Sequence, residues 1–296
     1  MGNMHNNEVL HKQLSNKCDN NQLQNEDIYQ YYEKCDYDQE MILKYACKNK
    51  KEKLVLFVID YLETVKNTDE HKFAQKIYID DALLWACYHN MLDVAIKLFE
   101  VGDSKPGYVD EYRNTALIYA CTNNMSEVAI KLIEVGNSCP GHTNKRGNTA
   151  LIYACMNNMS EVAIRLIDTG KSKPGHVSSK SNTALIYACK NKMTDVAIKL
   201  IDTGNSNPVH VNEESNTALM LACINNMSDV AIKLIDTGES NPGHVNKHGN
   251  TALLYACNND MTEVATQLSI IKAKGYEYYI AKQKGMTCVT DKLDNI

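Results

Sequence analysis

Two residue types that can do chemistry recur at a constant spacing in this chain of 296 residues. Cysteine returns every 34 residues, at Cys87, Cys121, Cys155, Cys189, Cys223 and Cys257. Histidine returns with the same period, at His142, His176, His210 and His244, and Tyr108 stands in the first copy. Thiolates and imidazoles bind metals and act as nucleophiles or bases. The cysteine ladder and the histidine ladder are therefore the first candidates for a reactive site.

The cysteine ladder is better explained by packing. Each of its cysteines follows an alanine in an apolar segment, where cysteine serves as a small buried side chain. Equivalent points on packed helices lie about 8–10 Å apart, whereas a disulfide needs Cα atoms within ~7 Å. Neighbours in the ladder are therefore not expected to bridge. Many unpaired thiols favour a reducing, intracellular compartment, the cytoplasm, including that of a host cell.

The histidine ladder leaves two interpretations open. Zinc is usually held by four ligands at about 2.0–2.3 Å, and no cysteine or carboxylate accompanies each histidine. Hydrogen bonding and stacking between adjacent loops is the favoured role, and a metal-binding module is the alternative. The chain also lacks a phosphate loop, H-E-x-x-H, G-x-S-x-G and a C-x-x-C pair. The sequence predicts a protein that is not an enzyme and needs no cofactor.

The same period of 34 residues organises the whole chain. The string N-T-A-L begins at Asn114 and returns at Asn148, Asn182, Asn216 and Asn250. All 5 prolines occupy one repeat position. Such regularity predicts stacked structural repeats, in which each unit needs its neighbours to bury its apolar side chains.

Each unit is predicted to contain two short helices. Thr149 is placed to cap the first helix, which runs to about Asn157, where the pair Asn157-Asn158 favours a turn. Ser160 is predicted to cap the second helix. Gly170 then supplies a left-handed residue that ends this helix, and Pro174 prevents the helix from resuming.

Several segments resemble the ankyrin repeat. Residues 246–253, with the sequence N-K-H-G-N-T-A-L, are similar to the ankyrin opening D-x-x-G-x-T-P-L. Glu263-Val264 and Thr237-Gly238 resemble the E-V-V and glycine elements of that family. The resemblance implies an all-α, ankyrin-type α-solenoid of helix-turn-helix units with β-turn loops. Alanine replaces the usual proline, and the turn glycine is present only at Gly147 and Gly249, which affects the loops more than the architecture.

The repeats define the expected domain organisation. Residues 1–35 are predicted to form a flexible polar arm, and residues 36–75 a degenerate capping unit whose second helix runs from about 53 to 65. Residues 280–296 are predicted to form a C-terminal cap and tail, preceded by a helix that runs on through Ile270–Lys274. Six repeats lie between: 76–109, 110–143, 144–177, 178–211, 212–245 and 246–279.

Composition narrows the class of partner. The net charge of −5 and the pI near 6.0 do not favour nucleic acid or an anionic membrane. No apolar run approaches the ~18 residues that span a bilayer. We therefore expect a protein partner.

Variation between the repeats predicts where that partner binds, because constant positions maintain stacking. One variable set lies at the turn tips: Glu111, Tyr112, Lys145, Arg146, Ser179, Lys180, Glu213, Glu214, Lys247 and His248. The other lies at the end of the first helix: Tyr88, Thr122, Met156, Lys190, Ile224 and Asn258. The ankyrin resemblance implies that both sets line one concave face.

The function predicted from these patterns is a protein-interaction scaffold. A self-associating structural component is the alternative. The closely duplicated units, rich in lysine and asparagine, resemble the expanded ankyrin families of giant viruses that infect amoebae and of intracellular bacteria. That resemblance implies a partner among host proteins.

Overall fold

The computed structural model describes residues 2–34, 39–65, 80–101, 107–135, 137–269 and 276–294. It divides into two compact units, Met1–Cys139 (unit 1) and Pro140–Ile296 (unit 2). The described residues of both units are helical hairpins joined by turns and loops, as the sequence predicted, and their one β-bridge pairs Val211 with Thr217.

Unit 1 contains four hairpins within its described residues. Its helices are α1 (Gly2–Asp19), α2 (Asn25–Lys34), α3 (Gln39–Lys48), α4 (Glu52–Val65), α5 (Asp80–Tyr88), α6 (Leu92–Val101), α7 (Ala116–Thr122) and α8 (Ser126–Glu134). First helices pack on first helices and second helices on second helices, because α3, α5 and α7 form one contacting series and α4, α6 and α8 another. Each hairpin thereby buries its apolar side chains against its neighbours.

Unit 2 continues the pattern with five hairpins. Its helices are α9 (Ala150–Met156), α10 (Ser160–Asp168), α11 (Ala184–Lys190), α12 (Thr194–Asp202), α13 (Ala218–Ile224), α14 (Ser228–Asp236), α15 (Ala252–Asn258), α16 (Thr262–Leu268), α17 (Tyr276–Gln283) and α18 (Thr287–Asp294). The odd-numbered helices α9 to α17 pack in series, and so do the even-numbered helices α10 to α18.

Short polar motifs set the ends of these helices. The side chain of Thr149 caps α9 by accepting a hydrogen bond from the backbone N–H of Ile152 at 3.2 Å, as predicted. A left-handed residue closes each hairpin: Asn21, Lys50, Asn90, Asn124, Asn158, Lys192, Asn226, Asp260 and Gly285. Gly170 ends the second helix in the left-handed conformation, at φ 65°, also as predicted.

The predicted cap at Ser160 is wrong. Met159 occupies the N-cap position of α10 and makes no side-chain hydrogen bond there, while Ser160 is the first helical residue. The side chain of Met159 is 4% exposed. The N-cap residue of this helix is therefore a buried methionine, and no polar side chain caps the helix there.

The predicted flexible arm is also wrong, because residues 2–19 and 25–34 form α1 and α2. Their polar composition hides a helical period: Leu14 and Cys18 are buried four residues apart, and Ile28, Tyr31 and Tyr32 follow at i, i+3 and i+4. The helix α1 packs on α3 and α4, and α2 packs on α4. Burial of a single apolar stripe is enough to order an otherwise polar segment.

The ends of the repeat array differ from the prediction in one further respect. The helix α4, Glu52–Val65, agrees with the expected second helix of the capping unit. At the other end, where a cap and tail were predicted for residues 280–296, a complete helix pair forms, since α17 begins at Tyr276 and α18 follows it to Asp294. Buried Ala281, Met286 and Val289 correspond to Ala256, Met261 and Val264 of the preceding hairpin, which explains the extra pair. The predicted helix through Ile270–Lys274 and the first proline, Pro106, lie outside the described residues.

Candidate partner-binding surface

The turn tips of unit 2 are held by their first residue. Asn144 Oδ1 accepts hydrogen bonds from the backbone N–H groups of Arg146 and Asn148, both at 3.0 Å. Asn212 and Asn246 make the same pair of bonds within their turns. The fourth residue of each turn adopts a positive φ, namely Gly147, Ser181, Ser215 and Gly249. The two residues between these positions are therefore displayed on a fixed backbone.

Hydrogen bonds also join successive tips. The backbone N–H and the hydroxyl of Ser179 both donate to the carbonyl of Arg146, at 3.3 and 2.7 Å. Lys247 N donates to the carbonyl of Glu214 at 3.3 Å. These bonds link the tips of adjacent repeats and restrict their independent motion.

The histidine ladder reinforces this linkage. The Nε2 atoms of His176, His210 and His244 lie 2.9, 3.1 and 2.9 Å from the carbonyl oxygens of Gly147, Ser181 and Ser215. A carbonyl oxygen only accepts, so each Nε2 carries the proton it donates. These three histidines bond adjacent loops, which was the favoured interpretation. Among the described residues, no three His, Cys, Asp or Glu side chains group closely enough to hold a metal ion.

All the tip residues predicted to bind a partner in unit 2 are exposed. They are Lys145, Arg146, Ser179, Lys180, Glu213, Glu214, Lys247 and His248. The carboxylate of Glu214 accepts a hydrogen bond from Asn216 Nδ2 at 3.2 Å. Within the part of the chain that the structure describes, the charged side chains of Lys145, Arg146, Lys180, Glu213 and Lys247 form no ion pair. Their charge is directed to solvent.

The predicted residues at the ends of the first helices are exposed as well. Met156, Lys190 and Ile224 are the last residues of α9, α11 and α13. Their carbonyl oxygens accept hydrogen bonds from the Nδ2 atoms of the next repeat's asparagine, at 3.0, 3.3 and 3.1 Å. The donors are Asn191, Asn225 and Asn259. Sequence reasoning treated this asparagine only as a helix breaker and missed its role between repeats, although its period of 34 residues was visible.

In unit 1 the predicted residues Tyr88, Glu111, Tyr112 and Thr122 are also exposed. The tip keeps the same geometry with a carboxylate, because Asp110 Oδ1 accepts from Tyr112 N at 2.9 Å and from Asn114 N at 2.7 Å. The hydroxyl of Tyr119 donates to Asp110 Oδ2 at 2.5 Å. Burial, together with that hydrogen bond, raises the pKa of Tyr119, so its phenol stays protonated.

Unit 1 also contains a cavity of about 350 Å³ beside this tip. Five aromatic side chains line it, together with the carboxylates of Asp81, Asp110 and Glu111 and the amine of Lys44. The aromatic residues are Trp85, Tyr88, Tyr108, Tyr112 and Tyr119. The sequence brought Tyr88, Glu111 and Tyr112 forward, but it did not indicate that Trp85 and Tyr108 join them. The indication in the sequence was that Trp85 replaces the tyrosine, and Tyr108 the histidine, that most other repeats have at these positions.

The cysteine ladder lies in the core. All six of its members are buried, and every cysteine whose side chain the structure describes is a free thiol. Burial raises the pKa of Cys87 and of Cys189 to about 12, so both thiols stay neutral and unreactive. The interpretation as small core residues is confirmed. Cys139 is the exposed cysteine among those described.

Two solved structures have a similar fold. A chain of the solved complex of the Bd0816 predatory endopeptidase of Bdellovibrio bacteriovorus with the immunity protein Bd3460 is similar at 24% identity and a TM-score of 0.50. The similarity covers 64% of this chain and 98% of that one. The human ASB11 ankyrin repeat domain is similar at 21% identity and a TM-score of 0.52, over 71% of this chain and 96% of that one. No curated protein sequence matches the chain.

Stacked helical hairpins with hydrogen-bonded turn tips define a helical-repeat protein of the solenoid class. Within that class, the chain belongs to the ankyrin-repeat family, whose model, described as ankyrin repeats (3 copies), matches residues 83–175, 117–209 and 198–280. These matches span about two thirds of the chain. None of the described helices combines the length and apolar character needed to cross a membrane.

Proposed function

We propose that this protein is a non-enzymatic scaffold that binds a partner protein, and that its turn tips and first-helix ends form the concave face to which the partner binds. The observation that carries the proposal is the row of turn tips in unit 2, at residues 144–147, 178–181, 212–215 and 246–249. Its charged side chains are exposed and form no ion pair with a described residue, while backbone hydrogen bonds join the tips in two pairs, Arg146 with Ser179 and Glu214 with Lys247. A backbone held in place before binding loses less entropy when a partner arrives.

The order of charges along unit 2 favours a protein partner. The tips are basic at Lys145 and Arg146, basic at Lys180, acidic at Glu213 and Glu214, and basic at Lys247. A protein surface can present the complementary order, which would specify register and orientation. A polyanion such as DNA gains from basic tips only and is opposed by the acidic pair.

The family supports the same function. Ankyrin repeats are in general protein-interaction modules, and one structural neighbour was solved in a complex of an endopeptidase with an immunity protein. The matched family is not a catalytic one. We therefore extend the proposal to a protein partner in a reducing, intracellular compartment, where the buried thiols would persist. A host protein met there by a viral or bacterial scaffold is the partner that the lysine- and asparagine-rich repeats suggest.

Charge reversal at the tips tests this function. Proximity labelling in the native cell would supply the partner, and its affinity for purified variants would then be measured. The double variants Lys145→Glu/Arg146→Glu and Glu213→Lys/Glu214→Lys should each weaken binding by tenfold or more, which corresponds to about 1.4 kcal/mol.

The control variant changes the net charge by the same amount as Lys145→Glu/Arg146→Glu, but outside the turn tips. Lys171 and Lys173 are exposed in the loop after α10, outside the tips, and Lys171→Glu/Lys173→Glu should alter the affinity less than twofold. If both tip variants bind like the parent protein, the proposed surface is wrong. Light scattering over a range of concentrations tests the self-associating alternative, which requires a mass that grows with concentration.

A further inference from the structure

The cavity of unit 1 combines aromatic faces with unbalanced negative charge. Trp85 and Tyr88 contact edge to face at a centroid distance of 5.4 Å, and Tyr88 meets Tyr119 in the same way at 5.1 Å. Tyr108 and Tyr112 complete the lining with side chains that are 46% and 59% exposed. Aromatic faces carry negative potential and attract cations.

The carboxylates of the cavity differ in what they already bind. Asp81 is paired with Lys44, the amine in the lining. Asp110 is committed to its own turn and to the hydroxyl of Tyr119. Glu111 forms no ion pair or side-chain hydrogen bond with another residue that the structure describes. Three carboxylates and one amine leave the lining with two excess negative charges.

The chain itself already places a cation against Trp85, although Lys48 is not one of the residues that line the cavity. The Nζ atom of Lys48 lies 5.6 Å from the ring centroid of Trp85, within the range of a cation–π contact. The volume of about 350 Å³ falls within the range of cavities that bind small ligands, about 300–1,000 Å³. The cavity can therefore admit a cationic group between the aromatic rings and Glu111.

We propose that this cavity of unit 1 binds an arginine side chain of the partner protein, with its guanidinium stacked on the exposed tyrosines and hydrogen-bonded to the carboxylate of Glu111. A guanidinium fits both elements of the site, because its plane stacks on aromatic rings and its paired N–H groups match a carboxylate. The more strongly hydrated ammonium of lysine gains less from the rings. The inference rests on the proposed function, since it assigns the arginine to the same partner.

The protein contains 1 tryptophan, and it lines this cavity, so intrinsic fluorescence reports directly on occupancy. The probe is N-acetyl-arginine methylamide, titrated into the full chain. Its citrulline analogue has nearly the same shape without the charge. We expect a saturable fluorescence change with the arginine probe and at least a tenfold lower affinity for the citrulline probe, the size of effect that a cation–π contact and a charged hydrogen bond confer. No saturable change, or equal binding of the two probes, would overturn the proposal.

Variants assign the effect to the site. Glu111→Gln and Tyr112→Ala each alter an exposed side chain and should weaken arginine binding by about tenfold. Glu127→Gln removes an exposed carboxylate of α8 that lies outside the cavity lining and the turn tips, and should leave the titration unchanged. Unaltered binding in the first two variants would contradict the assignment.

Two further probes identify the chemistry and its source. Tighter binding of N-acetyl-lysine methylamide would overturn the guanidinium assignment. If free arginine bound more than tenfold more tightly than the capped probe, the ligand would be a small molecule and not a partner's side chain. These titrations need no partner, so their failure is distinguishable from failure of the tip reversals, which test the scaffold function.

Discussion

A single buried thiol makes the free energy of unfolding depend on pH. The pKa of Cys189 is raised from 9.0 to about 12 because folding removes its side chain from water. The unfolded thiol loses its proton near pH 9, whereas the folded one keeps it. The contribution of the neutral thiol is therefore fully present below pH 9 and is lost as the pH rises towards 12.

Replacing this thiol should flatten the alkaline loss of stability. In Cys189→Ala, the free energy of unfolding should fall with pH less steeply between pH 9.5 and 11.5, by about 1.4 kcal/mol per pH unit. Urea unfolding under reducing conditions at several pH values measures the slope. Cys139→Ala is the control and should keep the parent slope, since that side chain lies in solvent. Equal slopes in all three proteins would mean that Cys189 is not protonated in the folded state up to this range.

The stability of each short helix depends on which groups accept hydrogen bonds from the backbone N–H groups of its first turn. Helices of seven residues such as α11 are too short to be stable alone, so unpaired N–H groups at their start are costly. Thr183 meets this need by accepting from Ile186 N at 3.2 Å, and its side chain is fully buried. The second helices begin differently, with a buried methionine in place of a polar cap.

This difference predicts unequal effects for two similar substitutions. Thr183→Ala should lower the free energy of unfolding by about 1 kcal/mol, because the cap bond is lost without a replacement. Ser160→Ala should change it by less than ~0.5 kcal/mol, because Ser160 is exposed and caps nothing. Chemical denaturation of the two variants measures both values. A larger loss of unfolding free energy in Ser160→Ala than in Thr183→Ala would mean that Ser160 does cap the second helix.

At the scale of the whole molecule, stability comes from hairpins that, within each unit, contact their neighbours in sequence. The N-terminal hairpin of α1 and α2 packs on α3 and α4, and so belongs to the folded array of unit 1. His11 and Tyr31 join its two helices through a side-chain hydrogen bond of 2.6 Å. The loss of an end hairpin should therefore destabilise the hairpin beside it.

A single substitution distinguishes this packed hairpin from a flexible arm. The side chain of Ile28 is 0% exposed, so Ile28→Ala should lower the free energy of unfolding by about 2–5 kcal/mol. Gln30→Ala, on the exposed side of α2, is the matched control and should be nearly neutral. The two are compared by thermal and urea unfolding of the full chain. No loss of stability in Ile28→Ala would indicate that residues 1–35 contribute nothing to the fold.

The sequence by itself determined the repeat period, the hairpin at its centre, the cap at Thr149 and the left-handed end at Gly170, because each depends on residues close together in the chain. The burial of the cysteine ladder followed as well, since its apolar neighbours are local. Only the tertiary structure decided that Ile28 is buried, that Asn191 donates to the carbonyl of Met156, and that Trp85, Tyr108 and Glu111 line one cavity. These contacts join different hairpins. They depend on how each hairpin is rotated and shifted against the next, a relation that the local pattern of residues does not contain.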